Sequence, residues 1–191
     1  MPTSAERGRE VRARLLEAAA ALIGERGWSA VSTRTLAERA GVGPGLVHYH
    51  FASLHALLTE AAVDTMREVT AAVRPLLAAA GTPADAVRLL MASLDEYTGR
   101  DPASRMFVET YLAATRDRAL REAVASVLDD LRAEFTTWLR AQEVADPEGT
   151  AVVLAAAVDG LLLHRALDAG ITADAVTPVL TRLVRDDSAA G

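Results

Sequence analysis

The sequence predicts an all-α protein. A small N-terminal domain of three helices with a helix-turn-helix occupies 1–52, and a larger helical domain follows over 53–191, with about nine helices in total. Three observations predict it. Apolar residues recur at three- and four-residue steps along most of the chain. Gly, Pro, Ser, Thr and Asp stand where helices of ordinary length must start and stop. No run of alternating strand residues interrupts the pattern.

The first helix repeats Val11, Leu15, Ala18, Leu22 and Ala19, Ile23, with Arg and Glu between them, and Gly27 closes it. Ser32 or Thr33 caps a short second helix, Thr35 to Ala40, which Gly41 ends. Pro44 suits the first turn of a third short helix that runs to about Tyr49. Phe51 lies in the link, and Ser53 caps a fourth helix whose pattern is unbroken from Leu54 to Arg74, with Pro75 ending or kinking it. Breaks at Gly81-Thr82-Pro83, Gly99 to Pro102, Asp117, Asp146-Pro147 and Gly170 to Thr172 punctuate the rest. The long segments are about 118–142, rich in charge, and 148–169, strongly apolar; an amphipathic helix closes the chain over 173–186. Pro178 fits two arrangements: the first residue after a Thr177 cap, or a kink in a helix begun at Thr172.

Composition narrows the function classes. The 191 residues include no cysteine and four His, which excludes a disulfide scaffold, a thiol nucleophile and Cys-ligated metal, so no metal or cofactor is expected. There is no Glu-x-x-His, no His-Glu-x-x-His, no phosphate loop and no nucleophile elbow, so the sequence predicts no enzyme. The longest apolar run, Ala151 to Val158, stops at Asp159, short of a membrane span, and no signal peptide is legible. A cytoplasmic protein without a membrane partner is expected. All 20 cationic residues are Arg. Residues 1–52 carry a net +2 and residues 53–191 a net −8, which points to an anionic partner for the head.

Two short helices meeting at Gly41, with Ala37, Val42 and Val47 at the close-packed positions, form a helix-turn-helix or an ordinary helical corner; spacing alone leaves both open. The helix from Pro44 displays Leu46, His48 and Tyr49 rather than charges, as reading a major groove requires. The stretch resembles the TetR family of one-component transcriptional regulators. The matching residues are Glu25-Arg26-Gly27-Trp28, the Thr33-Arg34 cap, Leu36 to Val42, and His48-Tyr49-His50-Phe51 before Ser53, within about residues 9–58.

The resemblance implies double-stranded operator DNA as a partner. Thr33 and Arg34 at a helix N-terminus would hold phosphate. Tyr49 would donate its hydroxyl to phosphate and His50 would fix the register, while Pro44, Gly45, Leu46 and His48 would face the bases. Surface or interhelix packing is the alternative role for both histidines. Two positions depart from the family: Leu46 replaces a usual Ser or Thr, and Leu54, followed by His55, replaces a usual Lys.

The resemblance also implies a regulatory body that binds a small-molecule effector and forms a homodimer. Met66, Met91, Tyr97, Phe107, Tyr111 and Trp138 are the candidate effector-lining residues; plain core packing is their alternative role. Val152, Ala156, Gly160, Leu163 and Leu167, with Val179 and Leu183 on the last helix, are the candidate dimer surface. Asp159 and His164 either satisfy a core partner or touch ligand. The fourth helix is expected to be the one long element reaching both head and cavity. A ligand-responsive repressor is the leading reading; a helical DNA-binding or adaptor protein without a ligand is the alternative.

Overall fold

The computed structural model describes residues 3–168 and 170–185. Among them are ten α-helices and no strand. They are α1 (Ser4–Arg26), α2 (Thr33–Ala40), α3 (Pro44–His50), α4 (Leu54–Ala71), α5 (Val73–Ala79), α6 (Pro83–Ser93), α7 (Pro102–Ala114), α8 (Arg118–Ala141), α9 (Pro147–Arg165) and α10 (Ala173–Leu180). Taking α4 and α5 as one interrupted helix gives the expected nine.

Local chemistry sets most boundaries. Ser32, not Thr33, is the cap of α2: its hydroxyl accepts the Thr35 N–H while Thr35 reaches back to the Ser32 N–H. Gly41 ends α2 in the left-handed region at φ 65°, which a side chain would strain. The pattern that runs unbroken from Leu54 to Arg74 does not give one helix. α4 stops at Ala71 and α5 restarts at Val73. Pro75 has no N–H for the carbonyl of Ala71 and its ring crowds that carbonyl, so the break falls four residues upstream of the proline. The last helix also differs. Thr172 caps α10, Pro178 sits inside it, and a 3-10 turn, Thr181–Val184, takes over. α9 ends at Arg165, short of the expected 169; Ala169 and Asp186 lie outside the described residues.

The chain packs as two compact units, each discontinuous in sequence. The first joins residues 1–67 to 101–124. Its core is Leu15, Leu22, Ile23, Leu36, Val47, Leu57 and Met106. α7, a helix of the expected regulatory region, crosses α1 here so closely that a Cβ on Gly24 would fall 2.2 Å from the Pro102 carbonyl oxygen. The second unit joins 68–100 to 125–191 around Val87, Met91, Phe135, Leu139, Leu154 and Leu180. One buried charge holds it: Arg165 donates to the carbonyls of Leu94, Tyr97 and Ile171 and pairs with Asp95.

Candidate nucleic-acid interface

The head is clamped before anything is displayed. Arg39 of α2 makes a two-pronged bond to Glu25 of α1, at 2.9 and 2.5 Å. The guanidinium holds the Glu25 carboxyl below its ordinary value, and Glu25 raises Arg39 in return. Arg12 of α1 pairs with Glu60 of α4 and stands 4.9 Å over the ring of buried Phe51, the residue that closes α3. The Trp28 N–H, just past α1, donates to Glu109 of α7 at 3.0 Å.

On this frame α3 buries one side chain, Val47, completely, and half-buries His50. Leu46 and His48 are exposed, and Tyr49 is 80% exposed. That exposure leaves the Tyr49 ring and hydroxyl open to a partner that can use both an apolar face and a hydrogen-bonding tip. His50 is half-buried, edge-on to Tyr49 at 5.0 Å. Pro44 and Gly45 are exposed in the first turn of α3, and among the described residues neither a Cβ on Gly43 nor one on Gly45 would meet any atom within 4 Å. Backbone there is open to close approach. Thr33 and Arg34 occupy the first turn of α2; Arg34 is exposed and borrows Glu38 as a partner at 2.9 Å. The eight residues singled out from the sequence thus lie on α2 and α3, with Thr33 and His50 half-covered.

The six candidate effector residues divide between the units. Met66, fully buried, and the half-buried Phe107 and Tyr111 belong to the first; Met91, fully buried, and the half-buried Tyr97 and Trp138 belong to the second. Trp138 lines a void of about 10 Å³ between α6 and α8, too small for anything but a water. A larger open groove of about 450 Å³ in the second unit is lined by Arg88, Asp95, Asp174, Thr177, Thr181 and Arg185, and by none of the six.

Among the described residues, nothing covers one face of α9. Val152, Ala156, Gly160 and Leu163 follow at steps of four, four and three, which is one stripe. Val152 is 50% exposed, Leu163 48% and Leu167, in the turn beyond, 79%. Val179 and Leu183 are exposed as well. α9 is the one helix among the described residues long and apolar enough to cross a membrane by length and composition.

Known proteins decide the family. The sequence pattern described as "Bacterial regulatory proteins, tetR family" matches residues 15–61, and that of "Tetracyclin repressor-like, C-terminal domain" matches residues 81–186. The chain belongs to the TetR family of transcriptional regulators. It is 30% identical over 164 residues to the HTH-type transcriptional regulator BetI of Rhizobium meliloti, covering 82% of this chain and 78% of that one. A TetR-family member from Streptomyces coelicolor A3 has the same fold with a TM-score of 0.75 and 32% identity, over 92% of this chain and 99% of that one. The multidrug binding protein EbrR, solved with malachite green, aligns at 28% identity and TM-score 0.67 over 92% and 98% of the two chains.

The second departure from the TetR pattern, Leu54 followed by His55, now has surroundings. Leu54 packs against the head's core, so an apolar residue there adds packing where a Lys would leave a cation. His55 pairs with Asp117, at the α7–α8 junction, at 3.0 Å, and lies edge-on to Trp28 at 6.3 Å. Sequence reading missed these cross-links, along with Glu109–Trp28 and Arg12–Phe51. Each joins residues far apart in the chain, and no periodicity marks them.

Proposed function

We propose that this TetR-family regulator is a ligand-responsive repressor that binds a palindromic operator as a homodimer and is released by a small apolar or amphipathic effector. The observation that carries the DNA-reading part is α3: one buried valine, and Leu46, His48 and Tyr49 held out in water on a clamped frame. In this reading Pro44, Gly45, Leu46 and His48 face bases, Thr33, Arg34 and Tyr49 hold phosphate, and His50 fixes the register. Leu46 cannot hydrogen-bond a base edge but packs on a thymine methyl.

Residues 1–52 then act as the reading domain and 53–191 as the regulatory one. The stripe on α9, with Val179 and Leu183, pairs with a second copy, so that two heads meet successive major grooves, about 34–36 Å apart or a multiple of that. Glu148 and Asp159 on α9 favour this partner over a bilayer, where carboxylates are costly. Met66, Met91, Tyr97, Phe107, Tyr111 and Trp138 are the side chains proposed to meet the effector. The bound malachite green in EbrR supports an organic effector of that size. A protein that only occupies and leaves DNA needs no cofactor, no catalysis and no site outside the cytoplasm.

Two elements are placed to move the head. α4 follows the reading helix directly and buries Met66 twelve residues along. α7, which carries Phe107 and Tyr111, touches α1 at Gly24 and holds the Trp28 N–H just past it. An effector that shifts either changes the spacing of the two reading helices. By linkage, a coupling of about 1–3 kcal/mol gives 5- to 150-fold release.

The test is selection of fragments from random duplex DNA by the purified protein. An enriched inverted repeat is expected, and failure to enrich any sequence would overturn the reading. Compounds that raise the melting temperature are then titrated against the protein on its selected fragment. Loss of binding marks the effector; Met66→Trp should weaken both the thermal shift and the release. Compounds that saturate the protein but leave affinity for DNA unchanged would leave the DNA-binding reading without its ligand response.

A further inference from the structure

The head carries cations that the chain itself does not use. Of the seven arginines in residues 1–52, Arg12, Arg34 and Arg39 are paired with Glu60, Glu38 and Glu25. Arg26 acts on Glu25 through space. Arg7, Arg9 and Arg14 are exposed and make no ion pair or side-chain hydrogen bond among the described residues. A solvated face would explain three arginines anywhere on a helix. Two further facts concern where these three stand.

First, their helix is fixed at its very start. Thr3 caps α1 with a full capping box: its hydroxyl accepts the Glu6 N–H, and Glu6 takes the Thr3 N–H. The Thr3 N–H, and after it the Thr3 hydroxyl, hold the Glu6 carboxyl below its ordinary value. Arg7 and Arg9 therefore ride on a formed first turn and a half rather than on a loose tail. Secondly, that turn abuts the end of the reading helix. A Cβ on Gly8 would lie 3.8 Å from Cε1 of His50. Arg7 and Arg9 flank Gly8, one on each side at about 100° per residue. Arg14 returns to the side of Arg7, about 10 Å further along the axis.

We propose that Arg7, Arg9 and Arg14 form a second DNA contact, one that binds backbone phosphate beside the half-site and reads no sequence. The backbone is already placed for it: Gly8, between Arg7 and Arg9, lies beside the Tyr49–His50 end of α3. Arg is suited to it, being permanently charged and able to bond phosphate with two N–H groups at once. The body's net −8 makes such a contact useful, since it opposes approach to a polyanion. This inference rests on the DNA-reading proposal, and the test keeps the two apart.

Wild type and Arg7→Ala/Arg9→Ala/Arg14→Ala are compared by fluorescence anisotropy on two 30-bp duplexes. One is the fragment selected by wild type and the other is a scrambled sequence; both are titrated over a range of salt. The dimer places each residue on DNA twice, and each neutralised phosphate contributes about one unit of slope in log K against log salt. The triple variant should lose two units or more on both duplexes, with the ratio between them unchanged. Arg7→Lys/Arg9→Lys/Arg14→Lys should keep most of the slope. Arg121→Ala, on α8 outside the helix-turn-helix, controls for net charge and should leave it alone. Helical circular dichroism must match wild type. An unchanged slope in the triple alanine variant, or an equal loss in Arg121→Ala, overturns the inference while leaving the reading of α3 intact. If wild type selects no fragment, the DNA-reading proposal fails, and the scrambled duplex still reads the arginines.

Discussion

Nη2 of Arg165 stands 3.0 Å from Oδ1 of Asp95, but the two ends of this pair live in different media: 8% of the Arg165 side chain is exposed and 61% of Asp95's. Water therefore screens the carboxylate, and the ion pair is the minor part of the arrangement. The major part is the set of carbonyls that the guanidinium serves, those of Leu94, Tyr97 and Ile171. Arg165→Ala strands these acceptors and should cost about 2–4 kcal/mol, because an unsatisfied buried polar group costs about 1–3 kcal/mol. Asp95→Asn should cost under about 1 kcal/mol. Urea denaturation at equal protein concentration checks both; equal costs would mean that the ion pair dominates after all.

Gly24→Ala sets two effects against each other. In a helix interior Ala is better than Gly by about 1 kcal/mol. Here the new Cβ would meet the Pro102 carbonyl oxygen at 2.2 Å, and that atom is backbone. Relief requires α1 and α7 to part, and overpacking of this kind costs about 1–3 kcal/mol. A net loss of stability is expected in thermal unfolding, with weaker DNA binding. A rise in melting temperature would show that the α1–α7 crossing is compliant.

Gly160 behaves in the opposite way. Among the described residues, a Cβ there meets nothing within 4 Å. Gly160→Leu should leave a single chain folded and act only against a second copy, weakening dimerisation by about 1–3 kcal/mol. Sedimentation at micromolar concentration should show a wild-type dimer and a variant shifted to monomer, with unchanged helical content. A monomeric wild type would remove the dimer from the proposal.

On DNA, substitutions should separate by role. Arg34→Ala should weaken binding to all sequences and reduce the salt slope by about one unit for each phosphate left without its guanidinium. Tyr49→Phe should weaken all sequences with little change in slope, since a neutral donor is removed. Leu46→Ala should relax preference at one base pair. Uniform weakening across sequences in Leu46→Ala would make Leu46 a packing residue.

The Glu25–Arg39 clamp adds a pH dependence. The folded-state value of Glu25 lies below its ordinary 4.5, chiefly through the bond from Arg39. Its contribution is thus full at neutral pH and is lost as pH falls below that ordinary value. Wild type should melt above Glu25→Gln at pH 7, and the gap should close toward pH 3. A gap that persists in acid would mean that shape, rather than charge, holds α2 to α1.

The sequence by itself determined what is local. The all-helical fold, the turn at Gly41, the short displayed helix from Pro44 and the apolar segment of α9 follow from periodicity, caps and breakers, which act over a few residues and are written in their order. The family pattern over residues 15–61 was legible for the same reason, since it lies in one continuous stretch. Only the tertiary structure decided what joins distant segments. It brought α7 from beyond residue 100 against α1, set Glu109 under Trp28, and packed Leu54 against the head's core. It also divided the six large side chains between two cores and buried Arg165 under three carbonyls. These depend on how helices cross, and a helix's own periodicity names its buried face without naming the neighbour that covers it.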